Sequence, residues 1–422
     1  MNYLLFVIYL IVLCWWLLRI PFITNTGISS KVILGLFLLK IFAGITIGWI
    51  SIHIYGPGND YWDVHDFALE EYQLLFSDPG TYFSNLFTSS YPQGYGGLFG
   101  SGDSYWNDLE GNILIKIVSV FNIFSRGDYY INSLFFNFII FFGHVIWYRL
   151  FIKIYPGKNA LVIIGCFLLP STLYFASGIH KDGLVFLLLA VLLYSVFQSL
   201  VKEKFTLKRI LFACFSLFFI FLIRNYVVLA LVPALVAWVI SSKTKWPAML
   251  TFASIYFIVC LLFFTIGNIS NKIKPMEIIT AKQLAYLNLP AAATTIKLDR
   301  VEPTVKSFVS NLPQALNHSL LRPYIWELPV KSLLPFNMEL LIYEILLLIF
   351  VFFRRKEFDR SRLPFLLVSF FFVLTAFSLI GYITPNLGSL VRYRSLYLPL
   401  IMVPILCAVN WQKLSEVFKI KK

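Results

Sequence analysis

The 422-residue chain carries 35 Lys and Arg against 21 Asp and Glu, a formal net charge of +14, yet only 13% of its residues are charged and 59% are hydrophobic. Soluble domains carry about a quarter charged residues, so composition excludes that class and predicts an all-α polytopic membrane protein. The five cysteines are odd in number and lie in apolar runs without metal-type spacing, which excludes a disulfide framework and reads as packing.

In chain order, the opening MNYLLFVIYLIVLCWWLL lacks a basic leader region and a small-residue cleavage site, so it is read as a retained helix rather than a signal peptide. A crossing needs about 20 apolar residues. Candidates fall at 3–18, 32–55, 130–151, 159–177, 183–200, 210–223, 227–241, 246–266, 336–353, 363–382 and 396–412, about eleven spans within a range of nine to thirteen. They compose a single integral membrane domain over 1–422, with extracytoplasmic segments at 56–129 and 267–335. The first segment alternates turn-rich stretches with helical patterns at 62–76 and 112–124, the latter too short to span and read as an interfacial helix. No internal repeat or low-complexity tract is visible, and no pair of broken spans at matching places suggests a transporter's inverted repeat.

Orientation follows from the basic residues. Placing 19–31 in the cytoplasm puts 20 of the 35 Lys and Arg on that side against four acids, Glu203, Glu357, Asp359 and Glu416. This face suits anionic lipid headgroups and accounts for the charge excess without nucleic acid. The expected location is a bacterial inner membrane, with the N-terminus extracytoplasmic and the C-terminus cytoplasmic. From 41 to 115 there is no Lys or Arg, while nine acids from Asp60 to Glu110 fall there.

The stretch YGPGNDYWDVHDFALEEY therefore lies outside and supplies Asp60, Asp63, His65 and Asp66. FASGIHKDG adds His180, Lys181 and Asp182, and LIRNY adds Arg224. LLRPYIWELP adds Arg322 and Glu327, and GSLVRYRSLYLP adds Arg392 and Arg394. Each has a plain structural reading. The acids read equally as solvated loop residues, His65 as a hydrogen-bonding histidine, and Lys181 with Asp182 as a helix-end pair. Arg392 and Arg394 read as interfacial anchors, or, on one side of an extended segment, as a clamp for an anion. Inside spans, Lys40 and Glu344 are read as a neutralising interhelical pair before a proton relay. No metal template is matched, so no metal ligand is assigned. Tyr82, Tyr91, Tyr95, Tyr105 and Trp106 read as interface aromatics, with stacking on sugar rings as the alternative.

An acidic motif in the first large outer loop after a transmembrane helix, with a juxtamembrane helix behind it and about eleven spans, resembles the GT-C superfamily of membrane glycosyltransferases. LPSTLYFASGIHKDGL and GSLVRYRSLYLPL also resemble bacterial envelope-polysaccharide proteins of glycosyltransferase-like or polymerase-like type. The acidic loop follows the second span rather than the first, so 3–18 is an added helix relative to the usual layout.

The resemblance implies a polyprenyl-phosphate-linked sugar as donor and a glycan or lipid as acceptor, without a nucleotide. Asp60 is then the first candidate for general base, with Asp63, His65 and Asp66 as alternatives. His180, Lys181, Arg224, Arg322, Arg392 and Arg394 are candidates to bind the lipid phosphate, with Asp182, Lys40 and Glu344 in support. No cofactor is implied, and a requirement for a divalent metal ion stays open. The other readings are an O-antigen-type polymerase or ligase acting through 267–335, and a transporter or flippase of a lipid-linked sugar.

Overall fold

In the computed structural model, which describes residues 2–88, 105–270, 273–327, 331–355 and 359–418, every regular element is a helix, and two isolated β-bridges are the remaining pairings. Helices α1 (Tyr3–Leu17), α2 (Pro21–Thr24) and α3 (Ser30–Ile50) open the chain, α3 running on through a π-helical turn at Ser51–Tyr55. Then come α4 (Asp60–Ser77), α5 (Pro79–Ser84), α6 (Tyr105–Ser125), α7 (Tyr129–Ile154), α8 (Asn159–Phe167), α9 (Pro170–Phe175), α10 (Lys181–Val201) and α11 (Leu207–Ile223). The chain continues with α12 (Asn225–Lys243), α13 (Ala248–Ile269), α14 (Pro275–Leu287), α15 (Val305–Leu321) and α16 (Leu334–Phe353). It closes with α17 (Leu363–Ile383), α18 (Leu387–Ser395), α19 (Leu398–Ala408) and α20 (Trp411–Phe418).

Among the described residues, seven helices are long and apolar enough to cross a membrane, or eight if α18 and α19, bent by 65°, form one span. The expected eleven is thus not reached, for local reasons. The 15 residues of α1 reach about 22 Å against a hydrocarbon core of about 30 Å. The candidate at 159–177 breaks before Pro170, whose missing N–H and ring stop a helix, leaving 9 and 6 residues. The candidate at 210–223 belongs to the 17-residue α11, which has Lys208 and Arg209 in its first turn.

The chain divides into two compact units, Met1–Leu150 with Thr172–Arg224, and Phe151–Ser171 with Asn225–Lys422. In the first, Phe37 of α3 meets Phe138 and Phe141 of α7 edge-on, and His144 of α7 lies on Phe186 of α10. With lipid outside, such packing rather than water exclusion holds spans together. In the described part of the segment after α3, the helical patterns expected at 62–76 and 112–124 fall within α4 and α6, which pack on each other. Lys116 of α6 pairs with Glu71 of α4, donates to the Tyr82 carbonyl at 2.5 Å and lies 3.7 Å from the Tyr82 ring centroid. Asn122 donates to the Ala68 carbonyl at 3.0 Å, closing α6 on α4.

In the second unit, α17 is the hub. Trp238 of α12 meets Phe365, while Phe252 and Tyr256 of α13 stack on Phe371. The expected outer segment 267–335 folds α14 and α15 onto it. Tyr382 donates to the Phe308 carbonyl at 2.6 Å, and Gln283 donates to the Tyr382 carbonyl at 2.8 Å. A Cβ at Gly381 would stand 1.9 Å from the Ala315 carbonyl oxygen, so glycine is what lets α15 lie against α17. The Arg355 N–H donates to the Ala408 carbonyl at 3.0 Å and that of Asn410 to Phe353 at 2.8 Å, tying the ends of α16 and α19.

Candidate functional site

Asn59 caps α4, its side chain accepting from the Tyr61 and Trp62 N–H groups at 3.2 Å each. This puts Asp60 and Asp63 in the first turn, where the helix dipole favours carboxylates. The next residue fixes where that turn sits. Tyr61 lies over His180 at 5.5 Å between ring centroids and against Gly178, where a Cβ would come within 2.4 Å of its ring. The sequence SGIH thus admits Tyr61, and Tyr61 brings Asp60 beside His180.

From there a chain of charges runs inward within the first unit. The Asp60 carboxylate, 58% exposed, lies 3.8 Å from His180 Nε2. His180 Nδ1 lies 3.0 Å from an Asp182 carboxylate oxygen, and the other oxygen of Asp182 meets Arg224 at 2.5 Å. Behind Asp60, the side chains of His180, Asp182 and Arg224 are all buried, at 5%, 0% and 7% exposure. His180 also caps α10, Nδ1 standing 3.3 Å from the Asp182 N–H. The two contacts belong to different proton positions: a bare Nδ1 accepts from the amide, and an Nδ1–H donates to the carboxylate. In either form a carboxylate flanks each ring nitrogen. Beside them, Lys181 pairs with Glu110 of α6.

The rest of the acidic motif divides. Asp63 is half-buried and Asp66 exposed. Burial, then the neighbouring carboxylates of Asp60 and Asp66, raises the Asp63 carboxyl above its ordinary range. His65 turns inward at 3% exposure, with Nδ1 3.3 Å from Asn132 and its ring against Tyr129. Burial pushes its pKa down. Its place is the plain hydrogen-bonding one. Lys40, 1% exposed, donates to the Ala176 carbonyl and the Ser177 hydroxyl, each at 3.1 Å. Within the first unit it thus meets two neutral oxygens.

The second unit holds Arg322, Arg392, Arg394 and Glu344. Arg392 and Arg394 do not share one side of an extended segment. Asn386 caps α18, and two residues along a helix turn about 200°. Arg394 points inward at 5% exposure and donates to the carbonyls of Ser319, Leu320 and Arg322 at 3.3, 3.3 and 2.8 Å, capping the end of α15. Arg392 is half-buried, 5.4 Å from the Tyr393 ring centroid. Arg322 pairs with Glu327 at 2.6 Å and lies 3.0 Å from His318 Nε2. Glu344 is half-buried.

A group that the sequence reading passed over is Glu339, 5% exposed near the start of α16. Its carboxylate accepts from the Ser171 N–H at 3.0 and 3.1 Å, from the Ser171 hydroxyl at 3.1 Å and from the Tyr343 hydroxyl. The available signal was the i, i+4 pair of Glu339 and Tyr343 inside an apolar run.

Tyr91 and Tyr95 lie outside the described residues, as do the side chains of Tyr105 and Trp106 and the basic-face residues Lys356, Glu357, Lys419, Lys421 and Lys422. Tyr82 is buried, its hydroxyl 2.9 Å from Ser119 Oγ, which is a packing position rather than a stacking platform. Among the described residues no three His, Cys, Asp or Glu side chains gather as a metal site would require. No protein-family model matches the chain, and neither a curated protein nor a solved structure is similar to it.

Proposed function

We propose that the chain is a membrane glycosyltransferase that moves a sugar from a polyprenyl-phosphate donor to a glycan or lipid acceptor. The observation that carries this reading is the line Asp60, His180, Asp182, Arg224, in which three buried groups lead to one exposed carboxylate. The basic-residue bias assigns that end to the extracytoplasmic face. In the transfer, the acceptor oxygen bonds to the anomeric carbon and its proton passes to Asp60. The bond from that carbon to the phosphate oxygen breaks, and its electron pair leaves with the polyprenyl phosphate. Lys181, 27% exposed, takes the phosphate in exchange for Glu110 in this reading. Arg224 is held by Asp182, so its part is to fix the Asp182 carboxylate and through it the His180 ring.

A second reading, an O-antigen-type polymerase or ligase, draws on the folding of 267–335 onto α17 and the half-buried Arg392. Glycan profiling of cells carrying Asp60→Asn or Arg392→Gln at matched membrane levels separates the two. Product loss at Asp60→Asn with little change at Arg392→Gln supports the transferase, and the reverse pattern replaces it with the polymerase. Lipid-linked sugar stranded on the cytoplasmic leaflet in either variant points to transport instead.

A further inference from the structure

The turn after α15 is built to hold one aromatic ring in the open. Arg322 and the Tyr324 N–H both bond Glu327, at 2.6 and 3.1 Å, and Tyr324 donates its hydroxyl to Asn317 at 2.7 Å. Asn337, 1% exposed, donates to the carbonyls of Tyr324 and Glu327 at 2.7 and 3.1 Å. On this base Trp326 stacks against Tyr324 with centroids 4.8 Å apart and planes 19° from parallel, and Trp326 is 76% exposed. The Arg322 guanidinium lies 5.6 Å from the Tyr324 ring centroid. Tyr324 therefore covers one face of Trp326, and among the described residues no second ring stacks on the other.

Charge decides what such a platform accepts. Arg322 and Glu327 cancel, so a phosphate would meet the carboxylate as well as the guanidinium. Burial and the nearby Arg322 also push His318 down to about 4, which adds no cation at neutral pH. The guanidinium of Arg322 donates and the carboxylate of Glu327 accepts, and the two side chains are 19% and 18% exposed. Hydroxyl groups donate and accept, whereas phosphate oxygens only accept. The apolar C–H face of a sugar ring matches an open indole, and its rim of hydroxyls matches the planar groups of Arg322 and Glu327.

We infer that Trp326, backed by Tyr324 and edged by Arg322 and Glu327, is a binding subsite for a neutral pyranose ring of a glycan. It concerns binding within the second unit and stands whether or not Asp60 is the base. The test is saturation-transfer NMR of the full chain in nanodiscs of phosphatidylethanolamine and phosphatidylglycerol. The probes are maltotriose, cellotriose, chitotriose and mannotriose, and inorganic phosphate is the competitor. At least one trisaccharide is expected to bind, about tenfold or more weaker in Trp326→Ala and within about threefold of the parent in Trp326→Phe. Phosphate is expected not to displace it. Unchanged binding in Trp326→Ala, displacement by phosphate, or no bound trisaccharide overturns the inference. No bound trisaccharide together with quenching of Trp326 by brominated lipid would make the residue an interface anchor instead.

Discussion

The two units use the same side-chain chemistry to opposite ends. In the first, a buried guanidinium, carboxylate and imidazole form a line that finishes in an exposed acid. In the second, the Arg394 guanidinium turns back into the protein to cap α15, and Glu339 turns inward to hold Ser171. The contrast teaches that residue type alone does not mark a site. What sets the first line apart is that its last group, Asp60, is exposed.

The strongest way to break this contrast is at Asp182. Asp182→Asn removes the carboxylate that pairs with the buried Arg224 and is expected to cost about 3–5 kcal/mol, read as a lowered thermal midpoint in detergent. Adding Arg224→Met should recover most of that stability without restoring transfer, because an apolar pair replaces a buried ion pair without orienting His180. Recovery of transfer as well would remove His180 and Asp182 from the site.

Arg394→Gln comes next. Loss of charged hydrogen bonds to three carbonyls is expected to cost about 1.5–3 kcal/mol and to loosen amide protection at the end of α15. An unchanged midpoint with a raised KM for lipid-linked donor would return Arg394 to phosphate binding. Gly178→Ala should cost about 1–3 kcal/mol by pushing Tyr61 off the SGIH turn, with a larger fall in transfer than in stability. Equal falls would mean that Tyr61 packs without positioning Asp60.

The last effect, at His318, is one of pH. Its folded pKa of about 4 lies below the ordinary 6.5, so the unfolded chain takes the proton first as pH falls. Stability contributed by the neutral ring is full above pH 6.5 and is lost as pH falls toward 4. Unfolding midpoints of the wild type and His318→Gln across that window should converge at the acid end. Parallel curves would show that the ring does not titrate there.

Much of the fold can be read from the sequence because apolar length is a strong signal. The runs behind α3, α7, α10, α12, α13, α16 and α17 all become long helices. The failures are local. Pro170 divides one run, and Arg392 and Arg394, expected to share one side, fall on a short capped helix and diverge. Of the site, the HKD turn, Arg224 and Asp60 stand out as charges at the ends of apolar runs, and the first unit brings them together. Lys40 meets a carbonyl and a hydroxyl, and Glu339 meets a serine, because partners distant in sequence are set by packing that no local pattern encodes.

The most direct test is the transfer rate of Asp60→Asn in proteoliposomes supplied with polyprenyl-phosphate-linked sugar and acceptor, alongside its thermal midpoint. Asp60 is 58% exposed, so the midpoint should stay near that of the wild type while the rate falls about 10²–10⁴-fold. A rate equal to the wild type at an equal midpoint would contradict the assignment of Asp60 as the base.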